Sequence, residues 1–284
     1  MSTKPASIET YRAPDGQSLT LRHFPPAVEP IGSVVLLHGI ISHSGWYGAS
    51  AEFLAQRGFD VYALDRRGSG LNMDQRGDVD SWRTWVADIV AMCEQRRQHG
   101  PVVLLGISWG GKLAPVIARE RPDLLAGIGL ICPGVYALQQ PGLAKRSALS
   151  ASGKLGIHQR RVTIPLEDPA LFTNSPKWQA FVRDDPLTLR EITMRFARED
   201  HKMTRFSRQS PQFIHTPTLL VLAGRDRIVR NQRTRRYLTE FASQDKTLLE
   251  YQTAAHTLEF EPDPSMFYDD LAAWVARVMH RQKV

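Results

Sequence analysis

Residues 102–111 read Val102-Val103-Leu104-Leu105-Gly106-Ile107-Ser108-Trp109-Gly110-Gly111. The first four are apolar, and two are β-branched, which suits a strand buried on both faces. A helical pattern follows from Lys112 to Arg121 and stops at Pro122. Between strand and helix stands Gly106-Ile107-Ser108-Trp109-Gly110, a G-x-S-x-G pentapeptide. The pentapeptide alone is common; its position at a strand-to-helix junction makes it chemically specific. Such a turn holds the serine in a strained backbone geometry with its hydroxyl above the sheet edge. Small neighbours keep the turn clear of the adjoining elements. The following helix presents its positive end to developing negative charge.

The same alternation continues in both directions. Apolar runs recur at 33–38, 61–64, 128–131 and 218–222. Helical patterns lie at Ala49 to Arg57, Ser81 to Gln98, Gln232 to Ser243 and Pro264 to His280. Strands alternating with helices predict an α/β fold with a mostly parallel, doubly wound sheet. Residues 7–24 predict a hairpin around Pro14-Asp15-Gly16. The rhythm breaks between Tyr136 and Phe213. A structureless loop of that length would be anomalous. A helical insertion over 137–214 is expected instead, with helices at 141–150, 176–183 and 187–200. The core then comprises 1–136 and 215–284.

A serine hydroxyl needs a base to take its proton. With this turn the expected chain order is Ser, then Asp or Glu, then His. Of the late histidines, His280 sits at the chain end and His215 at a strand entry. His256 lies in a loop before the last helix, where a general base can hang over the sheet edge. Asp226 follows the run Leu219-Leu220-Val221-Leu222-Ala223-Gly224. Its carboxylate can orient the imidazole and stabilise the imidazolium. Glu240 and Asp245 are rivals placed in or after the next helix. Two backbone N–H groups should receive the oxyanion. One is that of Trp109, after the nucleophile; the other is that of Ile40, in the loop His38-Gly39-Ile40-Ile41.

The chain has 284 residues, 42% hydrophobic and 23% charged. That composition allows a sizeable core and excludes whole-chain disorder. The net charge is +7. The insertion 137–214 carries 13 Lys/Arg against seven Asp/Glu, so nearly all the excess is local to it. The charge is therefore no argument for nucleic acid. It suits peripheral contact with an anionic membrane, attraction of acidic substrates, or a plain solvated face. Cys93 and Cys132 belong to no metal-ligand pattern and are expected in the core. No zinc or other cofactor is expected. Met1 to Tyr11 has no apolar stretch of the secretory kind, and no run nears the roughly 18–20 apolar residues of a membrane span. A cytoplasmic protein is the default expectation, and the sequence sets no oligomeric state.

The chain resembles the α/β-hydrolases of the monoglyceride lipase and lysophospholipase group. The likeness is carried by His38-Gly39 with His43-Ser44 and Tyr47, by Asp65-Arg66-Arg67-Gly68-Ser69-Gly70, and by Gly106 to Gly111. Downstream it rests on Asp184-Asp185-Pro186-Leu187, Gly224-Arg225-Asp226 and His256-Thr257-Leu258-Glu259. The resemblance implies the α/β-hydrolase fold and a helical cap over an apolar acyl pocket. It also implies the triad Ser108, Asp226 and His256. Ile41, Trp178 and Phe181 are candidates to line the pocket. Two departures stand out. Gly68-Ser69-Gly70-Leu71-Asn72 replaces the related Gly-His-Gly-x-Ser, and Ile107 and Trp109 flank the serine. A bulky Trp109 is expected to reshape the pocket. The implied activity is hydrolysis of carboxylic esters with an apolar acyl chain. An amidase or peptidase, a thioesterase, a C–C hydrolase or an acyltransferase could use the same site. A non-catalytic binding protein is disfavoured by the complete triad.

Overall fold

The computed structural model describes residues 6–138 and 156–281. The expected helix 141–150 lies outside the described residues. The apolar run of the serine turn forms Val102–Ile107, and all six residues are buried. It is the fifth strand in chain order, β5. The strands before it are β1 (Ser7–Arg12), β2 (Ser18–Phe24), β3 (Gly32–Leu37) and β4 (Phe59–Leu64). After it come β6 (Gly127–Ile131), β9 (Thr218–Ala223) and β10 (Lys246–Tyr251), with β7 (Arg161–Thr163) and β8 (Glu191–Thr193) between them. Among the described residues one eight-stranded sheet runs β1-β2-β4-β3-β5-β6-β9-β10. Within this sheet the run β4-β3-β5-β6-β9-β10 is parallel. The N-terminal hairpin adds antiparallel to β4.

The helices among the described residues are α1 (Gly48–Gln56), α2 (Trp82–Arg97), α3 (Gly110–Glu120), α4 (Pro176–Asp184), α5 (Met194–Arg208), α6 (Asn231–Thr239) and α7 (Ser265–His280). From β3 the chain steps outward to β4, then returns across β3 to build β5 on its other side. Strand order reverses at β3/β5, and ligand sites of open α/β sheets form at such a switch point. Ser108 follows β5 and Gly39 follows β3, so both flank that crevice. This is the α/β-hydrolase fold.

The chain leaves the sheet after Ile131 and re-enters at Thr218. Two expectations are corrected here. The stretch 187–200 is not one helix. Glu191–Thr193 is β8, paired antiparallel with Arg161–Thr163, and α5 begins only at Met194. β-Branched Ile192 and Thr193 favour the extended form, and the Thr193 hydroxyl accepts the Phe196 N–H at 3.0 Å as a helix cap. The helix expected to reach Ser243 stops at Thr239, and Phe241 turns its ring back onto Tyr237 in the core. α5 packs on the flank of the core, with Phe196 against Trp85 and Phe206 against Trp82. Among the described residues no helix is long and apolar enough to cross a membrane.

Candidate active site

Ser108 stands at φ +51°, a left-handed backbone that costs a non-glycine residue energy. The chain passes from β5 to α3 within two residues, and the glycines follow from that closeness. A Cβ on Gly106 would lie 2.5 Å from the Gly110 carbonyl oxygen; on Gly110, 2.4 Å from the Leu37 carbonyl oxygen. On Gly111 it would lie 2.6 Å from Pro133 Cβ. The helix is thus pressed onto its own strand and onto β3.

Asp226 lies just past β9. Its Oδ1 accepts the Ile228 and Val229 N–H groups at 2.7 and 2.9 Å. Its Oδ2 lies 2.7 Å from His256 Nδ1. Burial raises the carboxyl, but the imidazole and the two amides outweigh it and hold the group below its ordinary range. An ionised carboxylate only accepts, so Nδ1 donates to it, and in the neutral imidazole the lone pair is then on Nε2. His256 is 3% exposed, and among the described residues its Nε2 has no hydrogen-bond partner. The loop that carries it is braced on three sides. Ala255 N–H donates to Glu261 at 2.8 Å, Thr257 N–H to the Phe172 carbonyl at 2.9 Å, and Arg225 N–H to the Ala254 carbonyl at 2.9 Å. The rivals are engaged elsewhere: Asp245 pairs with Arg277 and Arg281, and the His280 ring lies against the Ala276 carbonyl of its own helix.

The backbone around both expected oxyanion donors is held from behind. The Ser108 carbonyl accepts from Gly111 and Gly134 N–H groups at 3.1 and 2.7 Å. In a trans peptide the N–H points opposite to the carbonyl, so the Trp109 N–H faces away from these bonds. The Gly39 carbonyl accepts from Arg66 Nη1 at 3.1 Å and faces His38 Nδ1 at 2.7 Å. The Ile40 N–H accordingly faces away from Arg66. Among the described residues neither the Ile40 nor the Trp109 N–H has an acceptor. A Cβ on Gly39 would be 3.4 Å from Ser108 Cβ, so this loop abuts Ser108. Arg66 N–H donates to His38 Nε2 at 2.9 Å. Burial pushes that imidazole down to about 3, so it stays neutral and braces the loop.

The Trp109 side chain, expected to reshape the pocket, is enclosed within the protein. It is 2% exposed. Its indole meets Trp85 edge-on at 4.8 Å and donates to Asp200 of α5 at 2.6 Å. Of the pocket candidates, Ile41 is buried and its carbonyl accepts the Leu189 N–H at 2.9 Å. Trp178 stacks on Phe260 at 4.4 Å, and Phe181 meets Trp46 and Phe260 at 5.8 Å each. Phe172 closes this aromatic wall with its ring edge-on to His256 at 6.0 Å.

Three further residues stand near the site, to none of which the sequence assigned a role there: Asp65 and Asp185 entered only through the resemblance, and Cys132 only as a core residue. Asp185 accepts from Trp46 Nε1 at 2.7 Å and contacts His43 Nε2 at 3.0 Å, fastening the segment after α4 to the loop before α1. Despite burial, these partners hold its carboxyl far below the ordinary range. Asp65 accepts the Ser44 and Leu71 N–H groups at 2.7 and 2.9 Å. Cys132 follows β6 at φ +43°. Its sulfur and the facing donor atoms of Asp226 and His256 all lie within 4.8 Å of one another. Its position directly after a central strand was the one available signal.

The family model described as serine aminopeptidase, S33, matches residues 28–263, and the chain belongs to that family. It is 29% identical to the monoglyceride lipase of Homo sapiens over 271 residues, covering 93% of this chain and 88% of the relative. It is 25% identical to the monoacylglycerol lipase of Mycolicibacterium smegmatis over 97% of this chain and 99% of that one. Among solved structures it is similar to the monoacylglycerol lipase of Paleococcus ferrophilus, at 26% identity and a TM-score of 0.83. That match covers 92% of this chain and 100% of the other.

The left-handed turn predicts a trade between stability and chemistry. Ser108→Gly should unfold at higher denaturant than Ser108→Ala, by about 1 kcal/mol, because only glycine relaxes that backbone. Equal stabilities would show the turn to be unstrained. Glu259 gives a second prediction. Burial raises its carboxyl to about 7, although Ser50 N–H donates to it at 2.9 Å. Its folded value lies above that of an unfolded glutamate. The stability it contributes is therefore complete below the ordinary carboxyl range and lost as pH rises through about 7. Thermal unfolding of Glu259→Gln should fall less between pH 5 and 8 than that of the unaltered protein; parallel Tm curves would refute this.

Proposed function

We propose that the protein hydrolyses carboxylic esters with an apolar acyl chain, with Ser108 as nucleophile, His256 as general base and Asp226 as its orienting acid. The observation that carries this reading is the buried His256 imidazole. Its Nδ1 is committed to Asp226 and its Nε2 is unsatisfied, at the sheet edge where a strained serine stands. A buried lone pair without a donor is costly for a merely structural histidine. For a base that takes a serine proton it is the required state.

In the reaction Ser108 Oγ attacks the ester carbonyl and its proton passes to His256 Nε2. The oxyanion is received by the Ile40 and Trp109 N–H groups. As the tetrahedral species collapses, His256 returns the proton to the departing alcohol and the acyl group stays on Ser108. Water then attacks, with His256 again taking a proton, and the carboxylic acid leaves. The acyl chain lies along the wall of Phe172, Trp178, Phe181 and Ile41. The segment 137–214 serves as the cap that carries most of this wall. Acyl glycerols are the natural class, given the names of the relatives. The two free, buried cysteines fit a reducing, cytoplasmic setting.

A fluorophosphonate probe should label the protein stoichiometrically and fail on Ser108→Ala. p-Nitrophenyl esters should turn over with a preference for longer acyl chains, and His256→Ala should lower kcat by roughly 10⁴-fold. Turnover of amides or peptides but of no ester would instead favour a peptidase. A membrane-surface role is proposed for the outer side of the cap, where Lys177, Arg183 and Arg190 are exposed. Co-sedimentation should be stronger with anionic than with neutral vesicles; equal binding would remove that role.

A further inference from the structure

Arg66 presents an anomaly. It is 7% exposed, and among the described residues no carboxylate lies within ion-pair distance of it, although Asp200 and Asp65 act on it from farther away. Burying a cation without a paired anion is expensive, and an apolar residue of similar shape would be cheaper. Its neighbour Arg67 follows the ordinary rule, pairing with Asp88 at 2.7 Å and Asp15 at 2.8 Å. What Arg66 contacts instead is the backbone of the oxyanion loop. Nη1 donates to the Gly39 carbonyl at 3.1 Å and Nη2 to the Ile40 carbonyl at 2.9 Å. The guanidinium also lies 4.3 Å above the indole of Trp109, and Nη2 reaches Ser69 Oγ at 3.3 Å.

We propose that Arg66 is the positioning residue of the oxyanion hole, a single cation that fixes both turns from which the donors come. This rests on the ester-hydrolase reading above. Two successive carbonyls drawn onto one guanidinium turn the two following N–H groups, of Ile40 and Ile41, to the opposite side. The planar fork sets the spacing of the two carbonyls, which a lysine cannot do. On the other turn, the stacked guanidinium fixes the Trp109 side chain, and Asp200 and Trp85 complete its enclosure. The cation also acts through the bonds it makes. A carbonyl polarised by a charged donor makes the N–H of the same peptide a better donor. The positive charge therefore stands behind the site where negative charge develops in the transition state, and nothing has to reorganise as it forms.

The test compares Arg66→Lys, Arg66→Met and, as a control for lost buried charge, Arg67→Met. Active sites are first counted by exhaustive fluorophosphonate labelling, so that kcat refers to folded protein. Arg66→Met should lose roughly 10- to 100-fold in kcat with little change in KM, since an oxyanion donor acts only in the transition state. An alkylboronic acid, which forms a tetrahedral adduct on the serine, should bind it more weakly by a similar factor. Arg66→Lys keeps the charge but not the fork and should fall between. Arg67→Met should lower Tm while keeping kcat per titrated site. The proposal is overturned if both Arg66 variants keep kcat within about threefold of the unaltered protein. It is equally overturned if kcat falls without weaker boronate binding. Should the unaltered protein cleave no ester, the ester reading fails by itself. The second-order rate of fluorophosphonate labelling in the same variants then judges Arg66.

Discussion

A strand and a helix joined through two residues, the first a left-handed serine, leave no room for a Cβ at the three glycines of the junction. Everything at the catalytic edge follows from that crowding. Gly106, Gly110 and Gly111 are the residues that let α3 lie on β5, β3 and Pro133. Close approach in turn places the loop after β3 against Ser108, so that two separate turns share one small space. The strain at φ +51° is sustained because the flanking strand is fully buried and hydrogen-bonded on both sides. A mobile or edge strand would relax it.

Loops around such a site need fixing, and here buried charges do it. Asp65 holds the start of the loop before α1 by the Ser44 N–H and the turn after β4 by the Leu71 N–H. Asp185 ties the far segment to Trp46 and His43. Asp226 is fixed by two amides before it orients the imidazole. Each carboxylate satisfies several donors at once, so its desolvation is offset by charge-assisted bonds rather than by a surface ion pair. This chain shares its fold with the monoacylglycerol lipase structure it resembles. The residue after Ser108 is a tryptophan whose side chain is enclosed against Trp85 and held by Asp200 of α5.

The fold and the candidate triad proposed here were legible because both are local signals. The glycine spacing around Ser108, the position of Asp226 after an apolar run and the loop setting of His256 need only a few neighbours to be read. Arg66, Asp185 and Cys132 were not legible as contributors to the site. Their roles arise from contacts with residues distant in sequence, such as Asp185 with Trp46, and an arginine in a Asp-Arg-Arg run looks no different from its neighbour. The stretch 187–200 misled for a related reason. Its periodicity is helical in the second half only, while the first half takes its conformation from pairing with Arg161–Thr163. The size of Trp109 suggested a pocket residue because side-chain direction is set by packing against Trp85 and Asp200, which the sequence does not display.

The burial of both native cysteines has a practical side. Cys93 is pushed up to about 12 by desolvation, and Cys132 is raised well above the ordinary thiol range by burial and the Asp226 charge. Neither offers a thiolate to a reagent in neutral buffer, even though Cys132 sits against Asp226 and His256. A single cysteine introduced on the outer face of α4 would therefore be the one reactive handle on the folded protein. A fluorophore attached there would report on the aromatic wall from outside, with the native thiols left in place and the chemistry undisturbed.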